Sequence, residues 1–259
     1  MNLKELKIKK IFFIIKVILL LIISILIIYM IIINNRLDKT DYPPSNALEV
    51  SPLTGKENLN LNQDKIIYNI EYLGSDIFSL HKIYENDIIY EIYDKKTDSR
   101  SYKAASIKNI GSHKDIVPLQ SNTTNNFPKL SFINYSDKKN FISDNFVSDV
   151  FIEYGPLCST GLIYTNGHYK YINSVTQEDV HQDTNEPLSF ANIVIQFINP
   201  KDKTKGEGIL FTGGLSKEIV WNNNDFYFKK GNKPMILNKG NSLWVPLDIS
   251  LKDRVIYNK

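Results

Sequence analysis

Gly161-Leu162-Ile163-Tyr164-Thr165-Asn166-Gly167-His168-Tyr169-Lys170-Tyr171-Ile172 decides the fold. Two runs rich in β-branched and aromatic residues flank Asn166-Gly167, the pair best suited to a two-residue hairpin turn. Both central residues of a type I′ turn need positive φ, which Asn and Gly tolerate best. A polar loop follows, carrying Glu178, Asp179, His181, Asp183 and Asn185. Ala191 to Ile198 is then almost continuously apolar, too greasy for a strand with one wet face. It predicts a central strand covered on both sides.

Toward the C-terminus, Ile209–Thr212, Glu218–Trp221, Phe226–Lys229, Met235–Leu237 and Ser242–Leu247 read as short strands, with Pro200–Gly208 as a charged turn before them. Gly213-Gly214, Asn222-Asn223-Asn224, Gly231-Asn232 and Lys239-Gly240 supply the turns between them. Short strands at such spacing predict a sandwich or small barrel. Toward the N-terminus, Ile66–Leu73, Asp87–Tyr93, Tyr102–Ile110, Leu130–Tyr135 and Val150–Tyr154 read as strands, and Ile77–Tyr84 as a short helix or turn. The expected class is α+β and β-rich: an N-terminal membrane helix, a mixed α/β lobe over 56–155, and a mainly antiparallel β sandwich or barrel over 156–259.

The membrane helix is expected at Ile11–Ile33, apolar except for Lys16 and Ser24. As a helix it would run about 34 Å, enough to span a hydrocarbon core of roughly 30 Å. The run is long and lacks an A-x-A-like site, which favours an uncleaved anchor over a signal peptide. Residues 1–39 hold seven Lys or Arg against two Asp or Glu, a net +5 within a chain total of +3, so residues 40–259 carry −2. The lysines preceding the helix predict a cytoplasmic stub at 1–10 and an extracellular C-terminal domain on a single-pass cell-membrane protein. Residues 34–55, with Pro43, Pro44 and Pro52, read as a tether. The near-neutral remainder offers no basic face for nucleic acid. Apolar content of 42% excludes wholesale disorder. The single cysteine, Cys158, cannot form an internal disulfide, so stability rests on packing. A buried inert thiol, a reactive nucleophile and an intermolecular bridge all remain open for it.

Several motifs resemble the YerB-like extracytoplasmic proteins of Gram-positive bacteria, a domain family of unknown function. Ser51-Pro52-Leu53-Thr54-Gly55 and Asp87-Ile88-Ile89-Tyr90-Glu91 match in the first half. Tyr169, His181-Gln182-Asp183, Asn192-Ile193-Val194-Ile195-Gln196, Gly213-Gly214, Trp221, Gly231, and Gly240 with Trp244 and Pro246 follow in family order. The arginines the family carries after Ile110-Gly111 are replaced by Ser112-His113-Lys114-Asp115, and Lys170 is the nearest cation after the hairpin tyrosine. The resemblance implies a two-part α/β plus β architecture outside the membrane and no established reaction.

The candidate ligand-binding residues are His181, Asp183, Asn192, Tyr169 and Glu91. His181-x-Asp183 is the best polar constellation: in a loop the two side chains can converge on one ligand, orient each other for catalysis, or simply pin the loop. A zinc site wants three protein ligands, and His81, His113 and His168 have no ligand-like spacing to it, so no metal is expected. No cofactor is expected either, because the chain lacks a phosphate-cradling glycine loop and a dinucleotide fingerprint. G-x-S-x-G and H-E-x-x-H are also absent. Asp87 and Glu91 share a strand face about 13 Å apart at roughly 3.3 Å per residue, too far for joint work on one glycosidic bond. Glu91 is instead expected to face a cation from the other lobe. Trp221 and Trp244 suit either core packing or stacking on a sugar. Two functions follow. One is a membrane-anchored binding or assembly protein of the bacterial cell envelope, with a cell-wall component or envelope protein as partner. The other is an envelope hydrolase or transferase using His181 and Asp183.

Overall fold

The computed structural model describes residues 50–57, 66–119, 122–123, 130–133, 146–172 and 180–258. The expected helix at 11–33, most of the 34–55 tether, and Glu178 and Asp179 lie outside the described residues. Among the described residues, no helix is long and apolar enough to cross a membrane. Leu48–Lys259 packs as one compact unit.

The chain forms β1 (Ile66–Tyr72), β2 (Ile88–Asp94), β3 (Ser99–Ser106), β4 (Ile116–Pro118), β5 (Asn122–Thr123), β6 (Ser131–Ile133), β7 (Asp149–Gly155), β8 (Cys158–Thr165) and β9 (His168–Ile172). It continues with β10 (Ser189–Phe190), β11 (Asn192–Ile198), β12 (Lys205–Thr212), β13 (Leu215–Asn222), β14 (Asp225–Phe228), β15 (Ile236–Asn238), β16 (Ser242–Asp248) and β17 (Val255–Tyr257). The strand content bears out the β-rich class. The helical part expected at Ile77–Tyr84 is two 3-10 turns, Ile77–Ser79 and Ile83–Glu85, and a third lies at Ile249–Arg254. Among the described residues no α-helix occurs. The region is too short for amphipathic spacing, and Asp76 caps Phe78 N–H at 3.2 Å to close a single tight turn.

The strands build a ten-stranded sheet in the order β14-β13-β12-β11-β16-β2-β3-β1-β4, with β5 also paired to β1. A five-stranded sheet runs β10-β9-β8-β7-β17, and β15 pairs with β6 in a third. The lobe boundary expected at residues 155/156 falls in the β7–β8 hairpin, and both larger sheets draw strands from either side of it. β16 makes the join: it lies parallel to β11 on one side and to β2 on the other. A strand in that position must be apolar on both faces, and Leu243, Trp244, Val245 and Leu247 are all buried. Pro246 lies beyond the last β2 pair, Trp244–Tyr90, so its missing N–H falls where only β11 is beside it.

β11 is the covered central strand its composition demands. Ile193, Ile195 and Phe197 face a core shared with Val150, Ile152, Leu162, Tyr169 and Tyr171 of the five-stranded sheet. Val194 faces the opposite core, with Leu53, Leu210, Trp221, Leu237 and Trp244. Both tryptophans are therefore core residues. The β8–β9 turn has Asn166 at φ 51° and Gly167 at φ 88°, the positive pair expected of type I′, and sets Tyr164 opposite Tyr169. Gly213 (φ 60°) and Gly214 (φ 75°) make the same kind of turn between β12 and β13. β12 begins at Lys205, inside the segment expected to be a turn. Gly206 and Gly208 hide that extension from periodicity, because neither supplies a side chain to alternate.

Candidate functional site

The five sequence-predicted residues do not form one site. Glu91 points from β2 toward the five-stranded sheet and is fully buried. Tyr154 donates its hydroxyl to Oε1, Thr160 Oγ1 donates to the same oxygen at 2.6 Å, and Tyr171 donates to Oε2 at 2.6 Å. Burial, reinforced by the Glu91 charge, pushes the Tyr154 and Tyr171 hydroxyls well above their usual titration range and keeps them donors. Arg100 Nη1 donates to Ser159 O at 2.7 Å, Thr160 Oγ1 at 2.9 Å and Tyr171 Oη at 2.7 Å. Burial opposes its charge, yet Tyr171 and Glu91 outweigh that and hold the guanidinium above its ordinary value. The counter-cation thus comes from β3, beside β2 in the same sheet, and not from the other lobe as expected. The later residues supply hydroxyls instead. The cage is a closed polar tie between the two sheets.

His181 is buried in the loop after β9. Its Nδ1 accepts the Asp183 backbone N–H at 3.2 Å, so the proton sits on Nε2, which donates to Leu80 O at 2.8 Å. Asp183 turns outward: its Oδ2 accepts Lys82 N–H at 3.1 Å and lies 3.4 Å from His81 Nδ1. The Lys82 amide, chiefly, holds the Asp183 carboxyl below its usual range. His81 stacks on His113 with ring centroids 4.2 Å apart, and His113 Nδ1 is 3.3 Å from Asp115. The fold therefore gathers three histidines whose sequence spacing gave no hint of it. Among the described residues, no group of three or more His, Cys, Asp or Glu is placed to hold a metal ion.

Asn192 is a staple. Its Oδ1 accepts from Thr212 Oγ1 at 2.7 Å and Asn238 N at 2.9 Å, and its Nδ2 donates to Asn238 O at 2.9 Å and Ser242 Oγ at 3.1 Å. That uses all four bonds a side-chain amide can make and ties β11 to β12, β15 and β16. Tyr169 is fully buried between Tyr164 and Phe211, at ring distances of 5.0 and 6.5 Å.

An open polar cleft of about 370 Å³ lies elsewhere, walled by the 51–57 loop, Tyr84–Asp87, Ile107-Lys108 and Asn241. Ser51 Oγ accepts from Leu53 and Thr54 N–H, each at 3.3 Å, and Gly240 N–H bonds Thr54 O at 2.8 Å. Gly55 has φ 66° and sits where a Cβ would lie 2.4 Å from the Phe132 side chain, so only glycine lets this loop close down. Asp87 O accepts Ser242 N–H at 3.0 Å, and its carboxylate takes Ile107 N–H at 2.8 Å. The cleft is the meeting point of Ser51–Gly55 and the first residue of Asp87–Glu91. Reading Asp87 only as a partner for Glu91 missed it, and the signal present was that both segments carried the family resemblance.

No family model matches this chain, and neither does any curated protein. The class its architecture defines is the YerB-like fold. The crystal structure of YerB protein from Bacillus subtilis superposes with a TM-score of 0.54 at 13% identity, covering 82% of this chain and 100% of that one. The chain is thus similar to YerB in fold and divergent from it in sequence.

Proposed function

We propose that the protein is a membrane-anchored binding or assembly protein of the bacterial cell envelope, with its folded part outside the membrane and its ligand in the cleft at Asn86 and Asp87. One contrast carries this reading. The Glu91 cage and the Asn192 amide spend their polar groups on one another inside the fold, whereas the cleft presents charged and hydrogen-bonding groups to solvent. Its volume of about 370 Å³ lies within the range of small-ligand sites, and its lining, polar at every position but Ile107, suits a charged or hydrogen-bonding ligand. The hydrolase or transferase reading is weaker because both ring nitrogens of His181 are occupied.

The test is retention of the purified full chain, held in detergent, on membrane-free bacterial cell walls. Wild type and His181→Gln are expected to be retained alike, and Lys56→Ala/Lys108→Ala markedly less. Equal retention of the lysine variant, or turnover of wall fragments that is lost in His181→Gln, overturns the proposal. Protease added to intact cells is expected to digest the C-terminal domain, and full protection beside a cleaved surface control overturns the topology.

A further inference from the structure

Asn86, 2% exposed, borders the cleft with half of its amide unused. Nδ2 donates to the Tyr72 hydroxyl at 2.7 Å and to Ile83 O at 2.9 Å, and the trigonal amide turns Oδ1 away from both. Among the described residues, Oδ1 has no hydrogen-bond partner. Buried acceptors in folded proteins are nearly always matched by a donor, so this one is open to a donor that the described residues do not supply. Asp87, next in sequence, spends Oδ2 on Ile107 N–H at 2.8 Å and Ser106 Oγ at 3.5 Å. Burial pushes its carboxyl up, against the pull of the Ile107 amide and then of Lys108. An added cation would relieve that desolvated charge. Glu57 and Glu85 add negative potential to the same cleft, while the exposed Lys56 and Lys108 supply positive charge at its rim.

We infer that the cleft binds an α-amino-acid zwitterion, a free amino acid or a short peptide, with its ammonium on Asn86 Oδ1 and Asp87 and its carboxylate at Lys56 and Lys108. Acceptors inside and cations outside match the two ends of such a molecule, and a volume of about 370 Å³ suits a dipeptide better than a macromolecular segment. The inference rests on the reading of this cleft as the ligand site and adds the ligand's chemistry.

The experiment is calorimetric titration of the full chain with glycylglycine, N-acetylglycylglycine and glycylglycine amide. Charge-assisted hydrogen bonds predict that acetylation, which removes the ammonium, weakens binding about tenfold or more. Amidation, which removes the carboxylate, is expected to weaken it several-fold. Lys56→Ala/Lys108→Ala should bring glycylglycine down to the affinity of its amide and leave the amide unaffected. Both lysines are exposed, so this variant keeps its fold where Asp87→Asn, which loosens Ile107, need not. Equal binding of the acetylated and free dipeptides overturns the zwitterion while leaving the cleft as a ligand site. Absence of binding by all three, with cell-wall retention intact, overturns it and leaves the binding protein.

Discussion

Glu91 shows how much one residue carries and how little of that its neighbours in sequence reveal. Its inward direction follows from strand alternation in Asp87–Tyr93. Its three hydroxyl partners lie 63, 69 and 80 residues downstream, on a sheet whose register no local pattern specifies. The expected cation was real but came from β3, because β2 and β3 are adjacent and Arg100 stands opposite Tyr93. Glu91→Gln keeps the volume but removes the charge that matches Arg100 and aims an amide N–H₂ at hydroxyl donors. Breaking a buried polar network on one side costs about 2–4 kcal/mol. Urea unfolding should show that loss, and a change under 0.5 kcal/mol would mean the cage is solvated. Asn192 and Tyr169 were legible as important positions but not as structural ones, since a saturated amide and a buried phenol look the same in sequence as ligand contacts.

At the scale of elements, the hairpin and the covered strand were readable because each is decided locally: Asn166-Gly167 by backbone sterics, Ala191–Ile198 by composition. The His181 loop was half readable. Its residues were picked out, but their partner is the pair of 3-10 turns at 77–85, reached through Gln182 N–H on Phe78 O at 3.0 Å, His181 on Leu80 and Asp183 on Lys82. This contact behaves as a latch with a pH sense. The folded Asp183 carboxyl titrates below its unfolded value, so the latch adds stability above the ordinary carboxylate range and loses it as pH falls through the folded value. Wild type should exceed Asp183→Asn in Tm at neutral pH, and the gap should close below about pH 4. A gap that persists in acid would show that the carboxylate charge plays no part. Because the group is solvent-screened, the gap should also be small.

For the whole molecule, the β-rich class was legible from strand counts and turn chemistry, while the division of strands among sheets was not. Nothing in the composition of Ser242–Leu247 distinguishes a strand that completes a C-terminal sandwich from one that slots between strands of both halves. Only the burial of both its faces makes the difference, and that is a tertiary fact. Removing residues 242–259 should therefore do more than trim an edge. It takes away the parallel pairs to β11 and β2 together, and with them β17, which pairs with β7 at the edge of the five-stranded sheet. The shortened chain should lose its cooperative thermal transition, and a native-like transition in that variant would refute the role given to β16.

The position of β16 also sets a clock for biogenesis. β1–β4 and β11–β14 are made with two inner edges facing each other and no strand to fill the gap until Ser242–Asp248 follows. Open edges of that kind recruit other chains, and closing them requires contacts far apart in sequence, which form slowly. A chain built this way depends on being kept apart from its siblings until β16 is in place, so its yield in cells should be governed by chaperoning before that strand docks more than by the equilibrium stability of the finished sheet.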